Sequence, residues 1–180
     1  MRTAINSFFI IFGILGIIFS CETDEVIKED PKSFYEINGK KTSLSEAFMD
    51  VIESSNGKYI YEIYLLGDGL TFNLADEIYE DRGDILRISL VQEDALIPSG
   101  TSNYLYSEWS DQPLEGTFIY SSLSSNCSSA ENCDGSIHMN MMDGSIQVKK
   151  VSSDYDIEFT LMFSDNIIEG RYAGSITRRN

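Results

Sequence analysis

Residues 154–163 read Asp-Tyr-Asp-Ile-Glu-Phe-Thr-Leu-Met-Phe. Tyr155, Ile157, Phe159, Leu161 and Phe163 recur at every second position, with Asp156, Glu158 and Thr160 between them. In an extended chain successive side chains point to opposite faces, so this period of two describes a strand with one buried and one wet face. Ser152-Ser153-Asp154 before it and Asp165-Asn166 after it are turn formers. A half-wet strand between tight turns is the signature of an antiparallel sheet.

The same reading extends in both directions. Downstream, Ile167 to Ile176 is the returning strand. Upstream, Ser145 to Val151 and Ser136 to Met141 read as strands joined by a turn at Asp143-Gly144. Phe34 to Ile37, Asn38-Gly39, and Lys40 to Leu44 form a hairpin signal, because Asn-Gly suits a turn with positive φ at both central residues. Lys58 to Leu66 is aromatic and β-branched and reads as a central strand, turned by Gly67-Asp68-Gly69 into Leu70 to Leu74. Further strands are expected at Ile85 to Leu90, Asn103 to Ser107 and Gly116 to Ser121, with Asp76 to Asp84 an acidic loop between Leu74 and the first of them. Ser45 to Glu53 fits a short helix capped by Ser45 or an irregular strand equally well. The fold class is mainly β, an antiparallel β-sandwich with a barrel as the alternative and at most one short helix.

The first residues set location rather than fold. Arg2 is the only charge before Glu22, and an unbroken apolar or glycine run extends from Phe8 to Phe19. This run has the length of a secretory h-region and is short of the about 20 residues that span a bilayer. It ends in Ile18-Phe19-Ser20-Cys21. A branched aliphatic at −3, a small residue at −1 and a cysteine at the cleavage point resemble the bacterial lipobox. Phe19 at −2 is larger than the residue usual there, a position that lipoboxes of the Bacteroidota relax. The resemblance implies a signal peptide over 1–20, diacylglycerol on Cys21 and a flexible acidic tether over 21–32 ahead of a domain at 33–180. Several buried acyl chains make a stable anchor, at about 0.8 kcal/mol per CH₂. Glu22-Thr23-Asp24-Glu25 after the cysteine resembles the signal that takes Bacteroidota lipoproteins to the outer face of the outer membrane. Together with Ile97-Pro98-Ser99-Gly100-Thr101 and the two terminal strands, these features resemble small β-sandwich lipoproteins of the Bacteroidota. That resemblance implies a fold and a location but no chemistry.

Charge and cysteines bound the partners. The formal net charge is −16, and loss of Arg2 with the leader makes it −17. Phosphate backbones are repelled by such a chain, so nucleic acid is excluded. Anionic lipid is repelled too, which leaves the acyl group on Cys21 as the membrane contact. Cys127 and Cys133 share a Ser/Asn-rich stretch and, in an oxidising compartment, read as a disulfide closing a small loop.

Catalytic patterns are scarce. His138 is the only histidine and reads as a rim or solvent-facing residue. No nucleophile elbow, zinc-protease helix, P-loop or dinucleotide fingerprint is present, and no metal or cofactor is expected. Asp76, Glu77, Glu80, Asp81 and Asp84 lack the calcium-loop spacing. Arg82-Gly83-Asp84 reads as chance. The aromatic residues Tyr104, Tyr106 and Trp109, with Tyr120, are the candidates for stacking on a ligand such as a sugar ring. The sequence thus predicts a lipid-anchored, non-catalytic binding or accessory module with a glycan or protein partner. The alternatives are an envelope structural component facing the periplasm and a carboxylate-based hydrolase.

Overall fold

The computed structural model describes residues 32–54, 57–73, 75–76, 78–97, 99–108, 114–129, 132–137 and 141–179. Cys21, Trp109 and His138 lie outside the described residues. Within them the chain forms β1 (Phe34–Ile37), β2 (Lys40–Glu53), β3 (Tyr59–Gly67), β4 (Leu70–Asn73), β5 (Ile78–Asp81), β6 (Gly83–Gln92) and β7 (Gly100–Tyr106). It continues with β8 (Thr117–Cys127), β9 (Gly135–Ile137), β10 (Met141–Val151), β11 (Asp154–Phe163), β12 (Ile167–Ser175) and β13 (Thr177–Arg178).

The mainly-β expectation holds, and of the two architectures the barrel is the one formed. The large sheet runs β1-β12-β11-β10-β7-β8-β6-β3-β2, and β2 pairs back onto β1. That last pairing removes the free edges a sandwich would keep. All neighbours in this ring are antiparallel except β7 and β8, which meet in parallel at Leu105–Thr117 and Tyr106–Phe118. β13 lies parallel to β2 at Phe48 and Met49. β4 and β5 form a separate two-stranded hairpin.

Local chemistry explains most of these elements. Asn38 and Gly39 both have positive φ, 52° and 76°, as the Asn-Gly turn between β1 and β2 requires. In β11, Tyr155, Ile157, Phe159, Leu161 and Phe163 are buried and Glu158 and Met162 are exposed, so the period of two is realised. The inward residues of the nine strands fill the barrel: Tyr61, Ile63 and Leu65 from β3, Leu86, Ile88 and Leu90 from β6, Ile146 and Val148 from β10, with Tyr104, Phe118 and the β11 set. Burial of each large side chain contributes about 1.5–3 kcal/mol.

Outward positions of β10, β11 and β12 carry Ser145, Gln147, Lys149, Asp156, Glu158, Glu169 and Arg171. On these three strands an apolar inside with a polar outside is the reverse of the pattern in a membrane-spanning barrel. Among the described residues no helix is long and apolar enough to cross a membrane.

Of the two readings of Ser45–Glu53 the irregular strand is the one formed: it is the second half of the long strand β2, whose pairing with β3 shifts register between Leu44 and Glu46. Phe48 and Asp50 face outward, while Ala47 and Met49 face the core, so burial on both faces mixes the two periods. Two expectations are corrected. Asp143-Gly144 is not a turn but part of β10, where a bulge falls between Met141 and Asp143. Gly144 is extended there, and a Cβ would stand 2.6 Å from the Thr160 carbonyl oxygen and 2.9 Å from the Phe118 ring. Its glycine is needed for close approach, not for turning. Finally, the acidic stretch Asp76–Asp84 contains β5 and the start of β6. Asn73 donates its side-chain amide to Asp76 and Glu80 across the hairpin, at 3.0 and 3.3 Å.

The β4–β5 hairpin covers part of the barrel's outside. Phe72 and Tyr79 on it pack over Phe48, Tyr64, Leu66 and Ile85 on the wall, forming a second apolar cluster. Cys127 belongs to this cluster and is disulfide-bonded to Cys133. Arg82 anchors the disulfide loop, donating from Nε and Nη2 to the Asn126 carbonyl at 3.2 and 2.8 Å. Asp84 accepts from the Asn126 amide at 3.0 Å and from the Tyr35 hydroxyl. Arg82-Gly83-Asp84 is therefore a structural clasp rather than a displayed tripeptide.

Candidate functional site

β3 and β6 each carry one charge inside an otherwise apolar run: Glu62 in Tyr-Ile-Tyr-Glu-Ile-Tyr and Arg87 in Ile-Leu-Arg-Ile-Ser-Leu. The period of two points both outward. Register then aligns three rows across the wall: Ile52, Ile60 and Val91; Asp50, Glu62, Ser89 and Tyr120; Phe48, Tyr64, Arg87 and Ser122.

Beside the part covered by the β4–β5 hairpin, these rows leave a groove of about 430 Å³. Ile52, Ile60, Ile119 and Tyr120 give it apolar walls, and Glu62, Arg87 and Ser89 give it polar groups. Ile52 is 46% exposed, whereas Ile119 and Ser89 are buried.

The polar groups are tightly organised. Arg87 donates from Nη2 to Glu62 Oε1, and the Tyr64 hydroxyl donates to Glu62 Oε2 at 2.9 Å. The guanidinium lies over the rings of Tyr120 and Tyr64, at 5.3 and 5.7 Å. Burial works to lower the pKa of Arg87, but the hydrogen bond and charge of Glu62 outweigh it and leave it raised. Burial, followed by the charge of Glu62, pushes the Tyr64 hydroxyl up. Among the described residues Arg87 Nε is buried without a hydrogen-bond partner, a state that costs about 1–3 kcal/mol. Apolar walls with a few convergent polar groups, in a volume within the usual ligand range, make this groove the candidate ligand site. Its chemistry suits an amphipathic ligand that packs on Tyr120 and the isoleucines and hydrogen-bonds toward Ser89 and Arg87.

A second depression of about 850 Å³ lies on the opposite part of the wall. Register sets Asn103, Gln147, Glu158, Arg171 and Phe34 in one row across β7, β10, β11, β12 and β1. Arg171 makes a two-pronged pair with Asp156 at 2.6 and 2.7 Å. That hydrogen bond holds the Asp156 carboxyl below the usual carboxylate range. Gln147 donates to Asn103 at 2.9 Å.

The aromatic residues expected to stack on a ligand fare differently. Tyr104 is fully buried and its hydroxyl accepts from Gln92 Nε2. It is a core residue, because its place in β7 points inward, and its ring offers no face to a ligand. Tyr106 is half-buried and packs on Phe118 with ring centroids 5.6 Å apart. Tyr120 alone of the described set lines the groove. The cysteine pair is joined as expected. Glu62, Arg87, Ser89, Ile52, Ile60 and Ile119 went unrecognised in the sequence. The signal that points to them is the pair of opposite charges, each alone within an apolar run of its strand.

Fold and site together define a closed β-barrel with an amphipathic groove on its outer wall. No protein-family model, curated protein or solved structure matches this chain.

Proposed function

We propose that this protein is a lipid-anchored, non-catalytic binding module displayed at a bacterial cell surface. The observation that carries the reading is Ile18-Phe19-Ser20-Cys21 at the end of the apolar run, with Glu22-Thr23-Asp24-Glu25 behind it. The barrel begins at Phe34. The residues between Cys21 and that strand reach at most about 40 Å when extended, enough to hold a domain clear of a bilayer surface. The acidic composition supports lipid as the means of attachment, since it disfavours direct contact with anionic headgroups. The groove supports a binding role: Tyr120 and the isoleucines supply contact area, and Ser89 and Arg87 supply orientation.

The ligand class is a glycan or an exposed protein segment with an apolar face. The test is a glycan array and a pull-down with the folded domain, run beside Tyr120→Ala and Ile60→Asp variants. A ligand retained by the parent and lost by both variants supports the reading. A ligand that binds the variants equally, or none at all, counts against it. Protease treatment of intact cells tests display: cleavage of the barrel is expected, and full protection would place it on the inner face.

A further inference from the structure

Phe48, Tyr64, Phe72 and Tyr79 surround a cation that belongs to the chain itself. The Arg179 guanidinium carbon lies 4.6 Å from the Phe48 ring centre, 5.1 Å from Phe72 and 5.5 Å from Tyr64. Phe48 stacks with Tyr64 and with Phe72, each at 4.6 Å, and Tyr79 closes the group edge-on to Phe72 at 5.0 Å. Asp50 takes both prongs of the guanidinium, with Nε to Oδ1 at 2.8 Å and Nη2 to Oδ2. A planar cation held against a stack of aromatic rings and paired two-pronged with a carboxylate is recognition built for arginine rather than lysine.

The cage and its occupant come from separate parts of the fold. Phe48, Asp50 and Tyr64 stand on β2 and β3, and Phe72 and Tyr79 on the β4–β5 hairpin. That hairpin is fixed independently, by the Phe72 amide donating to Glu46 at 3.1 Å and by the apolar cluster beneath it. Arg179 arrives on a much slighter support. β13 is two residues long, pairs with β2 only at Thr177–Phe48 and Arg178–Met49, and is continued by the Arg179 amide donating to the Met49 carbonyl at 2.9 Å.

We propose that Phe48, Tyr64, Phe72, Tyr79 and Asp50 form an arginine-recognition cage that the chain fills with its own Arg179, and that its external ligand is an extended basic segment carrying an arginine. A visiting segment adds to β2 in the register β13 uses and places its arginine where Arg179 lies against the rings, a strand-addition mode with one side-chain pocket. The carboxylate of Asp50 and the net charge of −16 draw such a segment in. β13 acts as a tethered competitor, because its link to β12 keeps Arg179 at high effective concentration beside the cage. This site is distinct from the groove at Tyr120 and does not depend on the lipid anchor.

The experiment is a titration of the full chain with the synthetic peptide Ser-Ile-Thr-Arg-Arg, which copies Ser175–Arg179. A second peptide replaces its last arginine by the uncharged isostere citrulline. Arg179→Ala is expected to bind the arginine peptide at least tenfold more tightly than the parent does, and the gain is expected to vanish with citrulline or with Asp50→Asn added. A folded Arg179→Ala protein that binds no better than the parent, or that binds both peptides alike, overturns the proposal. Should Arg179→Ala not fold, Arg179→Lys serves, since lysine lacks the planar fork. A smaller gain in peptide affinity is then expected, and no gain overturns the proposal.

Discussion

Strands β11 and β3 belong to one barrel wall and bury different numbers of faces. β11 alternates: its odd-numbered residues from Tyr155 to Phe163 are buried, and its other face is wet. β3 is buried on both faces from Ile63 to Gly67, because the β4–β5 hairpin covers its outside. The difference locates the chemistry. On β11 the charges Asp156 and Glu158 stand on the outer face, where Glu158 is exposed to water and Asp156 pairs with the exposed Arg171. Around β3 the charges are partly withdrawn from water, so each needs a protein partner: Glu62 has Arg87 and Tyr64, and Asp50 has Arg179. Both proposed binding places lie on this side of the barrel, the cage under the hairpin and the groove beside it.

The largest effect that tests this contrast is on β11 itself. Phe159→Ala opens the core and is expected to cost about 3–5 kcal/mol in denaturant unfolding. Met162→Ala on the outer face of the same strand is expected to stay within about 0.5 kcal/mol. Comparable losses at the two positions would break the one-faced description.

Phe72→Ala removes the ring that joins the hairpin to the wall and is expected to cost about 3 kcal/mol. The loss should appear as faster amide exchange in β4 and β5, with β10 and β11 protected as before. Exchange rising uniformly through the barrel would mean that the hairpin is part of the main core.

Glu62→Gln leaves the Arg87 charge without its carboxylate. A fully buried pair broken in this way loses about 3–5 kcal/mol, but Arg87 is 35% exposed, and water reduces the expected loss to about 1–2 kcal/mol. An unchanged stability would show that solvent already supports Arg87 and that the groove is less ordered than its geometry implies.

The last effect is absent at neutral pH. Burial pushes the hydroxyls of Tyr35 and Tyr61 up to about 12, above the unfolded value of about 10. Their folded values are raised, so the associated stability is fully present below about pH 10 and is lost as pH rises toward 12. Melting temperature should fall across that window, with tyrosinate absorbance rising together with unfolding. Tyr61→Phe should flatten the fall. Tyrosinate that forms well before unfolding would contradict the burial of these rings.

How far the sequence could be read follows from the same contrast. Where one face is wet, as in β11 and the Asn38-Gly39 hairpin, period and turn chemistry were sufficient. Where both faces are covered, the period is erased, and Ser45–Glu53 read as helix or strand with equal ease. Asp143-Gly144 carried the chemistry of a turn, but the close approach of Thr160 and Phe118 decides its role. The choice between sandwich and barrel rests on β1 meeting β12 as well as its hairpin partner β2, and the β1–β12 pairing is distant in sequence with no local signature. The groove was hidden for the same reason, since registers between three strands bring Glu62, Arg87 and Tyr120 together. Tyr104 was misread because an aromatic next to a polar loop resembles a ligand platform until its strand is known to point it inward.

The central functional claim is attachment through Cys21, and fatty-acid labelling of the expressed full chain tests it most directly. Cells fed an alkyne-bearing fatty acid should yield a labelled protein that partitions into detergent and has lost residues 1–20, and Cys21→Ser should abolish label and partitioning together. A mature protein that keeps Met1, carries no label and is unaffected by Cys21→Ser would contradict the account.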